Sequence, residues 1–127
     1  MARSSPPSPT AAELTILTVL WEHGPCSVRE VADALSKTHP TGYTTKLKLL
    51  QVMLSKGLVS RDDSNRAHRY TASVSRNRVQ RHVVRSMIDR AFGGSARNLV
   101  MHLLRSRELT DEEIDEARRM LRDQTRE

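Results

Sequence analysis

The sequence predicts a mainly α-helical protein carrying one small β-hairpin, and three observations lead there. Aliphatic residues recur three and four apart in six separate segments, the period of amphipathic helices. Ser/Thr-x-x-Glu boxes at Thr10–Glu13, Ser27–Glu30 and Thr110–Glu113 mark helix starts. Two short alternating runs flank the polar stretch DDSNRA, as in a hairpin. Aromatics are only 3% of the 127 residues, so the core rests on Leu, Val, Ile, Met and Ala, which argues against a β-sandwich.

Residues 1–9, with three Pro and three Ser, read as a disordered arm. The first helix follows Thr10, whose hydroxyl, with the Glu13 carboxylate, satisfies otherwise unpaired N–H groups. Leu14, Leu17, Leu20 and Trp21 form its apolar stripe, and Gly24-Pro25 ends it. Ser27 starts a second short helix through Val28, Val31, Ala32 and Leu35, followed by the turn SKTHPTG, where Pro40 forces His39 toward extended geometry. A third helix spans Tyr43 to Lys56. Tyr43, Leu47, Leu50 and Leu54 make its stripe, Met53 lies beside it, and Gly57 is the stop. Strands around Leu58–Arg61 and His68–Ala72 complete the order helix, helix, helix, hairpin over residues 10–73, that of a winged helix-turn-helix.

Residues 74–127 carry three further helical patterns. Val79, Val83 and Met87 stripe the first, Leu99 and Leu103 the second, and Ile114 and Leu121 the third. About a dozen apolar residues are a poor independent core for roughly 50 residues. The segment therefore reads as a C-terminal helical dimerisation domain; folding back onto the winged helix is the alternative.

Charge is concentrated in one place. Residues 37–90 hold 12 Lys and Arg against Asp62, Asp63 and Asp89, a net +9 in a chain of +6, while the segments on either side are slightly acidic. A one-signed field of this kind suits a polyanion. The third helix supplies short polar side chains at its start, Thr44 and Thr45, with Lys46 and Lys48 for charge and reach, as double-stranded DNA requires. Tyr43, at the head of the stripe, is counted with the DNA-binding residues of that helix, its ring reading as core or helix anchor and not as base reader. Arg61, Arg66 and Arg69 suit a wing lying along phosphates, with Asp62 and Asp63 turned away. Too few aromatics are present for a single-strand stacking platform.

Cys26 is the only cysteine, which excludes an intramolecular disulfide and a thiolate metal cluster within one chain. Although it precedes a helix start, no partner motif accompanies it, and an inert role is expected. The five histidines show no metal-ligand spacing, and no phosphate loop or nucleophile motif is present. The expectation is therefore no metal, no cofactor and no enzyme. No apolar run approaches the roughly 20 residues of a membrane span, so a soluble cytoplasmic chain without membrane insertion is expected.

PTAAELTILTVLW, GYTTKLKLLQVMLSKGLVSR and LTDEEIDEARRML resemble, in turn, the opening helix, the recognition helix with first wing strand, and the C-terminal helix of the penicillinase-repressor family, the BlaI/MecI/CopY group. The likeness spans about residues 9–124. It implies a homodimeric repressor on a palindromic operator, with Thr44, Thr45, Lys46 and Lys48 where the recognition helix meets the groove. Lys46 stands where the family commonly has an apolar residue, and Val52 where it often has Arg. In β-lactam-responsive members induction is by cleavage of an Asn-Phe bond, with a membrane sensor protease as partner; His102-Leu103 is the matching position here. The Cys-x-Cys cluster of copper-responsive members has no counterpart, which disfavours copper sensing. A winged-helix protein–protein module also fits the element order, although the +9 stretch argues against it. Activators and architectural proteins need the same DNA-reading surface as a repressor, so those readings stay open at this point.

Overall fold

The computed structural model describes residues 8–125. Of the expected N-terminal arm only Ser8 and Pro9 fall in that range, outside any regular element; the rest lies outside the described residues. The elements run α1 (Ala11–His23), α2 (Val28–Ala34), α3 (Tyr43–Lys56), β1 (Val59–Asp62), β2 (Arg69–Ala72), α4 (Arg76–Ala91), α5 (Ala96–Arg105) and α6 (Asp111–Thr125). The three capping boxes form as expected, each with its hydroxyl accepting from the third helical N–H and its glutamate accepting from the cap N–H. β1 and β2 pair antiparallel with Val59 opposite Ala72 and Arg61 opposite Tyr70. Cys26 adds a single bridge, its N–H donating to Tyr70 O at 3.0 Å and its carbonyl accepting from Tyr70 N at 2.8 Å.

The chain divides into two compact units within α4, between Val83 and Val84. In the first, α1, α2, α3 and the hairpin enclose a core built on Ile16, Leu17, Leu20, Val31, Leu50, Met53, Leu58 and Tyr70. Trp21 is half-buried at its edge, where its Nε1 donates to Val74 O at 2.9 Å and the Arg76 guanidinium lies 5.6 Å from the ring centroid. These contacts hold the start of α4 to the winged helix, beyond the boundary at residue 73 read from the sequence.

Glu13 has a second role that the sequence hides. It is buried, and both carboxylate oxygens accept from Lys56 Nζ, at 3.0 and 2.8 Å, tying the start of α1 to the end of α3. Burial raises its pKa, but the Lys56 ammonium and the Thr10 N–H outweigh that effect and hold the carboxyl below its ordinary range.

The second unit holds the remainder of α4 with α5 and α6. Ile88 is its one buried hydrophobic residue among those described, and Phe92 meets His102 edge-on at 5.9 Å. Val84, Met87, Val100, Leu104, Met120 and Leu121 are exposed. One expectation needs correction: Val79, which lies in the first unit, is buried and not open to a second copy. On α5, Leu99 and Leu103 are half-buried, while Val100 and Leu104, one helical position further round, are exposed.

Candidate nucleic-acid interface

A helix that meets a polyanion needs its start accessible and its donors unspent. α3 is built this way. Its N-cap is Gly42, with no side-chain hydrogen bond, whereas Thr10, Ser27, Ser95 and Thr110 each turn a hydroxyl onto the start of their own helix. Thr44, Thr45, Lys48 and Gln51 are exposed, at the start and along the outer face as expected. Val52 continues that face with 45% of its surface accessible.

The inward face differs from the expected stripe. Lys46, Leu50 and Met53 are buried, while Leu47 and Leu54 are only half-buried. Lys46 stands four residues before Leu50 and seven before Met53, a spacing that turns it inward whatever its polarity. The expectation that Lys46 reaches DNA is therefore corrected. Its Nζ donates to His39 O at 3.0 Å and to the Thr41 hydroxyl, with Thr41 O at 3.5 Å. Tyr43 shares the inward direction but lies beyond the end of the core. It is 46% exposed, and the Arg29 guanidinium of α2 sits 5.5 Å from its ring centroid.

The wing arginines are not equivalent. Arg61 pairs with Asp63 at 2.7 Å, and the same carboxylate oxygen meets His68 Nδ1 at 2.8 Å. Asp62 accepts from Ser64 N at 2.9 Å and shapes the turn. Arg69 donates to Pro25 O at 2.7 Å and lies 3.4 Å from Glu30, fastening the base of the wing to the start of α2. Arg66 is exposed and has no ion pair among the described residues. Burial pushes the Cys26 thiol pKa up, with the Glu30 charge adding to the shift, so the thiol is held in its unreactive form.

Arg29 escaped the sequence reading because nothing local marks it; only the crossing of α2 and α3 brings it to Tyr43. Arg29, Tyr43, Thr44, Thr45, Lys48 and Arg66 are thus all accessible and outside any ion pair among the described residues, and all lie within the first unit.

The family described as penicillinase repressor matches residues 9–123. The chain belongs to that family. Across its length it is similar to the penicillinase repressor of Bacillus licheniformis, with 27% identity over 115 residues, 91% of this chain and 90% of that protein. Two solution structures resemble it as well. One is the DNA-binding domain of the repressor BlaI, at 26% identity and a TM-score of 0.52, covering 60% of this chain and 93% of that one. The other is the monomeric form of Bacillus licheniformis BlaI in complex with the blaP half-operator, at 27% identity and a TM-score of 0.51, covering 58% and 90%. Members of the penicillinase repressor family are transcriptional repressors, not enzymes. No helix among the described residues of this member is long and apolar enough to cross a membrane.

Proposed function

We propose that this chain is a homodimeric, cytoplasmic transcriptional repressor that binds a two-fold symmetric DNA operator through α3. The observation that carries the reading is the start of α3 in a member of a repressor family: Thr44, Thr45 and Lys48 stand exposed on a helix whose first-turn N–H groups meet no side-chain cap. Those N–H groups suit a phosphate, the threonines suit base edges or a thymine methyl, and Lys48 suits phosphate or guanine. Arg66 on the wing and Arg29 beside Tyr43 extend the same field, in keeping with the net +9 of residues 37–90. The exposed apolar residues of the second unit supply the dimer contact, and a dimer would set two copies of α3 about 34–36 Å apart, in successive major grooves.

Footprinting on the upstream region of the protein's own gene and its neighbours tests this reading. A protected palindrome is expected, with affinity falling about 10³- to 10⁵-fold between 50 and 200 mM salt if six to ten phosphates are contacted. Flat salt dependence would favour a protein–protein module instead. Replacing Thr45 and Lys48 by Ala is expected to lower the preference for the palindrome over shuffled DNA. Release by a membrane sensor protease would act at the His102–Leu103 bond. That bond lies inside α5, so cleavage requires the helix to unwind there first; N-terminal sequencing of the fragments from induced cells checks it.

A further inference from the structure

Lys46 is a cation enclosed by the protein, 2% exposed, and no carboxylate pairs with it among the described residues. An enclosed charge persists only when its hydrogen-bonding groups are satisfied. Here an ammonium with three N–H donors meets three oxygens: His39 O, Thr41 O and the Thr41 hydroxyl. All three belong to the turn that joins α2 to α3. His39 O also accepts from Thr41 N at 2.8 Å, and His39 N donates to Leu35 O at 2.8 Å, so the turn is continuous with the end of α2. Lys46 therefore binds the end of α2, through its turn, to the second turn of α3.

A hydroxyl cap would secure the start of α3 by consuming a first-turn N–H; Gly42 leaves that role empty. Lys46 does the same work from beneath, through carbonyl and hydroxyl oxygens, and leaves the first-turn donors unspent. We propose that Lys46 is a positioning residue for DNA reading: it sets the place of Thr44 and Thr45 without touching DNA. The proposal rests on the DNA-binding function proposed above. Base reading depends on where side chains meet base edges, whereas nonspecific binding depends on charge near phosphates. Loss of the Lys46 contacts should therefore weaken discrimination and leave nonspecific affinity in place.

The test uses the full chain, the duplex located by footprinting, and a shuffled duplex of equal length and composition. Lys46→Met keeps the length and removes the donors. Affinity for the footprinted duplex is expected to fall about tenfold and affinity for the shuffled duplex by less than about twofold, with an unchanged slope of log affinity against log salt. Thr41→Val should produce part of the same loss and add nothing further in the Lys46→Met background, because both act through one contact. A salt slope shallower by about one charge per subunit would overturn the proposal by showing that Lys46 meets phosphate. An unchanged ratio between the duplexes, or equal losses on both, would overturn it as well. If Lys46→Met does not fold, Thr41→Val at its exposed position decides alone: a lowered ratio supports the proposal and an unchanged one overturns it. Wild-type protein that prefers no duplex and binds without salt dependence would reject the DNA-binding function itself, a result separable from every outcome above.

Discussion

The two units of the chain solve the burial problem differently. In the first, three helices and a hairpin enclose aliphatic side chains with no accessible surface, Ile16, Leu17, Val31, Leu50, Met53 and Leu58 among them, and its polar residues finish the work: Glu13 on Lys56, Trp21 on Val74, Arg69 on Pro25. In the second, three helical segments bury Ile88 and leave six large aliphatic side chains in water. Small domains are marginal because little of their surface is removed from solvent, and that limit falls on the second unit far more than on the first. One unit is complete as a single chain; the other leaves exposed the apolar surface that the proposed dimer would cover.

The widest separation between them should come from their interiors. Leu50→Ala removes a side chain with no accessible surface and is expected to cost about 2–5 kcal/mol, read as a lower urea midpoint that does not depend on protein concentration. A loss below that range would mean that the core around α3 collapses readily to fill the gap. Leu104→Asp probes the other unit. With 42% of its surface accessible, Leu104 costs the single chain little, but a charge at a buried dimer contact should weaken association by about 2 kcal/mol or more. Sedimentation velocity is expected to show a dimer for the wild type and monomers for the variant at the same concentration. An unaltered dimer would place the contact elsewhere.

Glu13 sharpens the comparison through pH. Its carboxyl titrates below the ordinary range in the folded chain, so its stabilisation is present above that range and is lost as pH falls through the lowered value. Glu13→Gln should cost about 1–3 kcal/mol near neutrality and flatten the acid limb of the stability profile of the first unit. The acid limb of the second unit, read from amides in α5 and α6 by hydrogen exchange, should not change. A variant with the wild-type acid limb throughout would detach Glu13 from the acid response.

Much of this was legible in the sequence where one local rule decided the outcome. Helix starts followed from hydroxyl–glutamate boxes, the end of α3 from Gly57, and the hairpin from alternation about DDSNRA. What residue type alone suggested went astray. Lys46 looks like a surface lysine, and only its angular place relative to Leu50 and Met53 turns it inward. Tyr43 looks like core, but the core ends before the first turn of α3. Glu13–Lys56, Arg29–Tyr43 and Trp21–Val74 depend on how elements far apart in sequence cross, which no local pattern records. In the second unit the helices were evident, yet their outward faces were not, because period alone does not say which side of a thin helical segment meets its neighbours.

The smallest expected effect concerns how the two units end their helices. α3 closes with Leu58 N donating to Met53 O at 2.9 Å and Gly57 N to Leu54 O at 3.2 Å; Gly57 has φ +81°, and the flanking Met53 and Leu58 are fully buried. α5 closes by the same pair of bonds, Glu108 N to Leu103 O at 3.2 Å and Arg107 N to Leu104 O at 3.4 Å, but with Arg107 at φ +60° and exposed Glu108 in place of a buried leucine. A left-handed residue with a Cβ costs about 1–2 kcal/mol, and glycine gives back about 0.5–1 kcal/mol of that through the freedom it adds to the unfolded chain. Arg107→Gly should therefore stabilise the second unit by about 0.5–1 kcal/mol, seen as slower amide exchange in α5 with none in α1 to α3. The mirror change, Gly57→Ala, should destabilise the first unit by a similar amount; no atom lies within 4 Å of the added Cβ, so backbone strain is the whole cost. If Arg107→Gly gave no gain while Gly57→Ala gave its loss, the end of α5 would owe its geometry to contacts made by the arginine side chain in the dimer, and the second unit would be incomplete at its turns as well as on its faces.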